Sequence, residues 1–253
     1  MDKVKMIAAA LLLFWGCESV AAQTRVIAHR GFWDCEGSAQ NSITALQRAA
    51  EAKVYGSEFD VLITKDGIPV VNHDADIQGF VIEESNYAVI KDLKLKNGEV
   101  IPTAKAYLEE GKKYPEMQLV LEIKPHKEKV NENRAVEVLV AMVAEMGLTK
   151  QVEYISFSKN ICEELVKITP ESNIAYLTGD WTPMQVKEKG MNGIDFHHSL
   201  FYKNDHWIKE AHTAGMSVNV WTVNKEEDMR HFIAQGVDFI TTDKPLELQQ
   251  LLK

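Results

Sequence analysis

Cysteine is scarce in this chain. Three occur among 253 residues, at Cys17, Cys35 and Cys162, too few for a disulfide framework. The sequence also has no Gly/Ser/Pro-rich linker, no low-complexity tract and no long run of one charge. With nothing to divide it, a single large domain is expected. Cations are in the minority: 28 Lys and Arg face 37 Asp and Glu, for a net charge of −9. That balance excludes the basic stripe a nucleic-acid partner would need, yet leaves room for a local cluster of cations around a small anion.

The N-terminus carries two lysines, then an apolar stretch from Met6 to Trp15, then small residues up to Ala22. The apolar stretch is too short to span a bilayer comfortably. A basic start, a short apolar core and Val20-Ala21-Ala22 predict a signal peptide over residues 1–22 and one domain over residues 23–253. The expected location is therefore across the inner membrane, in the periplasm. Gly16-Cys17 offers the alternative of a lipoprotein site, with a lipid on Cys17 as a membrane tether. After cleavage behind Ala22, Cys35 and Cys162 remain, on distant units and not expected to bridge. Nothing in the sequence implies a stable protein partner.

From Gln23 onward, short β-branched runs alternate with amphipathic stretches. Strands are expected at Arg25–Ala28, Glu58–Ile63, Leu119–Lys124, Val152–Phe157, Ile174–Leu177, Gly193–Phe196, Ser217–Val223 and Asp238–Thr242. Helices are expected at Ile43–Lys53, Pro102–Lys113, Val130–Met146, Lys159–Ile168, Thr182–Lys189, Lys203–Ala214, Lys225–Gln235 and Leu246–Leu252. The segment Ala75–Ile101 is polar, lacks a clear helical period and reads as an insertion over one mouth of the fold. Eight strand–helix units in series predict an α/β protein, a (β/α)8 TIM barrel with an inserted segment after the second strand. The rival is an open doubly wound sheet, but no Gly-rich dinucleotide loop follows the first strand.

The stretch Gly56–Asp74 organises the rest. Glu58 and Asp60 are two apart on a strand, so both project from one face. Two acids side by side require water, protons or a cation. After a Lys-Asp-Gly turn, the apolar run Ile68–Val71 delivers Asn72, His73 and Asp74 within a hairpin-like segment. In a parallel barrel the working face is the C-terminal end of the strands. Those ends collect His29 and Arg30, then Glu58 and Asp60, His73 in the following loop, Glu122 and Lys124, Asp195 and His197, Trp221, and Thr242 and Asp243.

Three carboxylates with no nearby thiolate (Glu58, Asp60, Glu122) suit one hard divalent cation, Mg²⁺ or Ca²⁺. Zinc would recruit the histidines directly. The competing reading of Glu122 is a buried ion pair with Lys124. His29 and His73 are placed to exchange protons near neutral pH, against the plainer reading of hydrogen-bonded structural histidines. Arg30 and Lys124 supply positive charge for an anionic oxygen. Trp221 either stacks on ligand carbons or packs the rim. Asp195, His197 and His198 are either ligand contacts or a structural cap on the sixth strand. A cation, two histidines, an arginine and a lysine around one pocket describe a phosphoester site, in which one histidine takes a proton and the other returns one to the leaving alkoxide.

His29-Arg30-Gly31, Glu58-x-Asp60, His73-Asp74, Leu121-Glu122-Ile123-Lys124, Trp221-Thr222-Val223-Asn224 and Thr242-Asp243-x-Pro245 together resemble the glycerophosphodiester phosphodiesterases, in order and over nearly all of the mature chain. The resemblance implies metal-dependent hydrolysis of a glycerophosphodiester to glycerol 3-phosphate and an alcohol. It implies His29 and His73 as the acid–base pair and Glu58, Asp60 and Glu122 as metal ligands. It implies Arg30, Lys124, Trp221, Gln40 and His197 on the substrate, with the 75–101 insertion shaping the alcohol side. One departure stands out. The family's Pro-Glu-Asn-Thr reads Ala39-Gln40-Asn41-Ser42 here, which removes one negative charge and leaves an amide able to hydrogen-bond a ligand. The alternatives are a related lysophospholipase D or sphingomyelinase type of phosphodiesterase, and a non-catalytic phosphodiester-binding protein. The latter would typically have lost a histidine or an acid that this chain keeps.

Overall fold

The computed structural model describes residues 23–253; the expected signal peptide and Cys17 lie outside the described residues. The chain opens with β1 (Arg25–Ala28), α1 (Ile43–Glu51) and β2 (Gly56–Ile63). An excursion follows: β3 (Pro69–Val71), β4 (Asp76–Ile77), β5 (Phe80–Val81), a 3₁₀ turn (Ile82–Glu84) and α2 (Tyr87–Ile90). The alternation then resumes with α3 (Ala104–Gly111), β6 (Gln118–Ile123), α4 (Lys129–Glu145), β7 (Val152–Ser156), α5 (Lys159–Ile168), β8 (Ile174–Tyr176) and α6 (Pro183–Glu188). It ends with β9 (Gly193–His197), α7 (His198–Lys203), α8 (His206–Thr213), β10 (Ser217–Trp221), α9 (Glu226–Gln235), β11 (Phe239–Thr242) and α10 (Pro245–Leu251).

The parallel strands run β1-β11-β10-β9-β8-β7-β6-β2, and β1 pairs with β2 to close the ring. This is the expected eight-stranded barrel. Closure is set by Ile27 opposite Gly56 and Ala28 opposite Ser57. All eight residues of β2 are buried, as a parallel strand covered on both faces requires. Ile27, Val120, Ile155, Leu177 and Phe239 form an apolar cluster inside the ring, while Phe59, Val61, Leu119, Leu121, Val218 and Val220 belong to the core under the helices. The helices start where side chains satisfy orphan amides: Ser42, Thr103, Ser158 and Thr182 each cap the helix that follows them.

Three expectations change in detail. The helix expected at Lys203–Ala214 is two helices, α7 and α8. Asn204 ends the first by donating its side-chain amide to the Leu200 carbonyl, and its own carbonyl accepts from Trp207 to begin the next. Pro102 does not open α3. Its carbonyl accepts from Val71 N–H (2.8 Å), which ties it to β3, and Thr103 is the cap. The insertion is not irregular. Its elements are too short to show a period, but Ile77, Ile82, Ile90 and Ile101 close with Leu62 and Val70 into a separate small core. Each such aliphatic side chain contributes about 2 kcal/mol when fully buried.

Gly31 is the tightest point of the loop after β1. Its φ is +76°, and a Cβ there would sit 2.6 Å from Ala45 Cβ and 2.7 Å from the Ala45 carbonyl carbon. Gly31→Ala is therefore expected to destabilise by about 3 kcal/mol, combining overpacking with a strained backbone. A thermal melt matching the parent would contradict this account of the loop.

Candidate active site

The acids meet because the strand register aligns them. Asp60 of β2 lies opposite Glu122 of β6, and Glu58 is one inward-facing position earlier. Oxygens of Glu58, Asp60 and Glu122 all fall within 4.8 Å of one another, and all three side chains are buried. Glu58 Oε2 accepts from Arg30 N–H (2.7 Å), but its Oε1 has no partner. Asp60 Oδ2 accepts from the Asn41 amide (2.9 Å) and Asp60 Oδ1 from Lys124 Nζ (3.1 Å). Lys124 Nζ also lies 2.8 Å from Glu122 Oε1, so the ion pair weighed for Glu122 exists, inside the cluster and not instead of it.

The charges in this cluster do not balance. Burial, with Asp60 and Glu122 beside it, drives Glu58 well above the usual carboxylate range. Burial and Asp60 push Glu122 up to about 8 against the pull of Lys124. Burial would raise Asp60 too, but Lys124, His73, the Asn41 hydrogen bond and Arg30 outweigh it and hold Asp60 low. Three buried acids, one with an unpaired oxygen and all offering hard donors, fit a divalent cation of the Mg²⁺ or Ca²⁺ kind.

His29 and His73 both line the small cavity, about 60 Å³, that also exposes Arg30, Glu58, Glu122 and Trp221. His29 is held from behind. Its Nδ1 lies 2.8 Å from Asp243 Oδ1, and Asp243 also accepts from Trp33 Nε1 (2.9 Å) and the Asn224 amide (2.6 Å). Burial alone would raise Asp243, but His29 and these hydrogen bonds outweigh it and hold the carboxyl at about 2. The ionised Asp243 therefore accepts from Nδ1–H and leaves Nε2 for proton transfer. His73 pairs with Asp74 (2.8 Å) and is 38% exposed. Burial holds its imidazole below the usual value; Lys124 and Arg30 add to that, while Asp60 and Asp74 oppose it.

The remaining expected contacts separate. Trp221 lines the cavity, its Nε1 donating to the Asp195 carbonyl (2.9 Å). Lys124 spends its ammonium on Asp60 and Glu122 and is not among the cavity's lining residues. Gln40 accepts from Arg30 Nη1 (2.9 Å) and faces a wider groove of about 740 Å³ under the insertion, which His73 also lines. His197 reaches neither space; its Nδ1 accepts from Ser199 N–H (3.3 Å) and caps α7. Sequence reasoning placed Asp243 at the working end of the barrel but gave no role to it, to Asn41 or to Asn224. The signal for Asp243 was closure: β1 pairs with β11 through Ala28 and Thr242, so the next residues, His29 and Asp243, must be neighbours.

Asp195 also lines the cavity, 2% exposed, with Oδ1 unpartnered. Burial pushes its carboxyl up to about 7 from a usual 3.8. The folded state thus holds a proton there that the unfolded chain has released, so this group's stabilisation is present below about pH 4 and is lost as pH rises to about 7. Asp195→Asn is expected to raise the melting temperature little in acid and by several degrees at about pH 8. Parallel melting curves for the two proteins across that range would contradict a neutral buried carboxyl.

A closed parallel barrel with an acid cluster, two presented imidazoles and an arginine at its C-terminal mouth defines a phosphoric diester hydrolase. The family model for glycerophosphoryl diester phosphodiesterases matches residues 29–247, and the chain belongs to that family. It is 45% identical to a glycerophosphodiester phosphodiesterase from Parabacteroides distasonis of known structure, with a TM-score of 0.90 over 91% of this chain and 97% of that one. It is 28% identical to the glycerophosphodiester phosphodiesterase of Caldanaerobacter subterraneus, over 91% of this chain and 98% of the relative. An Oleispira antarctica phosphodiesterase, solved in complex with sn-glycerol-3-phosphate as product, shares 25% identity and a TM-score of 0.78 over 90% of this chain and 96% of that one.

Proposed function

We propose that this phosphodiesterase hydrolyses glycerophosphodiesters to glycerol 3-phosphate and an alcohol, with Glu58, Asp60 and Glu122 holding one divalent cation and His29 and His73 moving the protons. The observation that carries this is the single cavity that brings both imidazoles to an unbalanced cluster of buried acids. The bound cation supplies Lewis acidity and charge neutralisation at a phosphate oxygen. Arg30, held in place by Gln40 and lying 3.6 Å from Asp60, adds a second positive group for the phosphate. One histidine takes the proton of the glycerol hydroxyl beside the phosphate as that oxygen attacks phosphorus. The other gives its proton to the departing alkoxide. The roles then reverse as water opens the cyclic phosphate, which regenerates both imidazoles.

His73 borders both the inner cavity and the outer groove, so it is placed beside the leaving alcohol. His29, backed by Asp243, is left as the base. Export of the mature enzyme through its N-terminal segment is part of the proposal. The test is an assay of glycerophosphocholine, lysophosphatidylcholine and a chromogenic diester, each with and without chelator. Chelator-sensitive release of glycerol 3-phosphate from glycerophosphocholine supports the reading. No glycerol 3-phosphate from any glycerophosphodiester sinks it.

A further inference from the structure

We infer that Asp195 recognises the substrate's terminal glycerol hydroxyl, the one farthest from the phosphate, and so selects free glycerol over acylated glycerol at this site. The inference rests on the glycerophosphodiester reading above. The cavity has two unlike walls. One, from β1, β2, β6 and the His73 loop, is charged and holds the imidazoles, Arg30 and the acids. The other, from β7 to β11, is mostly apolar: Ile155, Phe157, Leu177 and Trp221. A phosphoester whose phosphate is drawn to the charged wall lays its carbon skeleton against the apolar one.

Two polar side chains interrupt that apolar wall, Asp195 and Thr241. Thr241 is engaged, its Oγ1 accepting from the Asn219 amide (2.8 Å). Asp195 keeps capacity to spare: the Asn219 side chain lies against its carboxyl, yet its Oδ1 has no hydrogen-bond partner although the residue is 2% exposed. A buried carboxyl oxygen without a partner costs stability. Its position is nevertheless fixed. The Trp221 indole donates to its carbonyl (2.9 Å), and its backbone pairs with Asn219 in β10. Burial pushes the carboxyl up to about 7, so near neutral pH it can donate as well as accept, and it adds little charge to repel a phosphate. A hydroxyl is the group that fits such a partner. The cavity is small, about 60 Å³, which suits a short polyol. An acyl ester at the terminal position would remove the hydrogen-bond donor and add bulk the space does not offer.

The test compares two substrates and four proteins. Glycerophosphocholine carries the terminal hydroxyl. Propylene-glycol phosphocholine keeps the hydroxyl beside the phosphoester carbon and lacks the terminal one. The parent is expected to favour glycerophosphocholine by about 10–100-fold in kcat/KM, the worth of one buried hydrogen bond to a carboxyl. In Asp195→Ala that preference falls to near unity, through loss on glycerophosphocholine. Asp195→Leu fills the vacated volume and gives the same collapse, which keeps the test valid if the Ala variant melts low. Asp195→Asn is isosteric with an oxygen acceptor and retains at least about tenfold preference. Equal losses on both substrates in the Ala and Leu variants would show a structural role and overturn the inference. A parent active on both esters without preference would overturn it too, while leaving the proposed function standing. A parent that releases no glycerol 3-phosphate from any glycerophosphodiester would bring down both.

Discussion

Replacing His29 or His73 with alanine is expected to lower kcat by about a hundred- to ten-thousand-fold while leaving the fold intact. Neither ring supports the core. His29 packs at the cavity rim against Asp243, and His73 is partly exposed in the loop after β3. Melting curves should therefore overlay the parent within a degree or two. The two variants are expected to differ in one respect. A leaving group that departs without a proton, such as a nitrophenolate, should restore much of the rate in the variant lacking the acid and little in the other. The place of His73 between cavity and groove makes it the rescued variant. Parent-like kcat in either variant would remove that residue from the chemistry.

Stripping the cation is expected to have an effect as large. Chelation should abolish turnover, and Mg²⁺ or Ca²⁺ should restore it and raise the melting temperature, since a ligand bound only by the folded state stabilises it. The pH dependence has a definite sign. In the metal-free protein Glu58 is raised and Glu122 is pushed up to about 8. Both hold protons in the fold at pH values where the unfolded chain has lost them. The contribution of Glu58 and Glu122 to metal-free stability is therefore fully present below the ordinary carboxylate range and declines as pH rises to about 8. Bound cation displaces those protons, so apparent cation affinity tightens over the same interval. Glu58→Gln should weaken that affinity at least about tenfold. Overlaying titration curves of this variant and the parent would show that Glu58 is not a ligand.

The barrel was legible because parallel strands buried on both faces read as short apolar runs, and their polar trailing residues mark the working end. The acid cluster was legible for a related reason. A period of two puts Glu58 with Asp60, and Glu122 with Lys124, on inward faces before any pairing is known. What the pattern could not show is what closure decides. His29 meets Asp243 only because β11 returns to β1, 214 residues further along the chain. Parity could not separate Asp195 from His197 either, since both occupy the same face of β9. The difference is that His197 ends the strand and caps α7, while Asp195 remains inside. The insertion concealed its order because elements of two to four residues carry no readable period, although its isoleucines hold them together.

The central claim is that three acids from two neighbouring strands share one cation within reach of both imidazoles. Anomalous diffraction from crystals grown with Mn²⁺ and glycerol 3-phosphate tests it directly. The account predicts a single strong peak about 2.0–2.6 Å from oxygens of Glu58, Asp60 and Glu122, with the phosphate between His29 and His73. A peak held by other residues, or phosphate bound with no ion among these three acids, would contradict it.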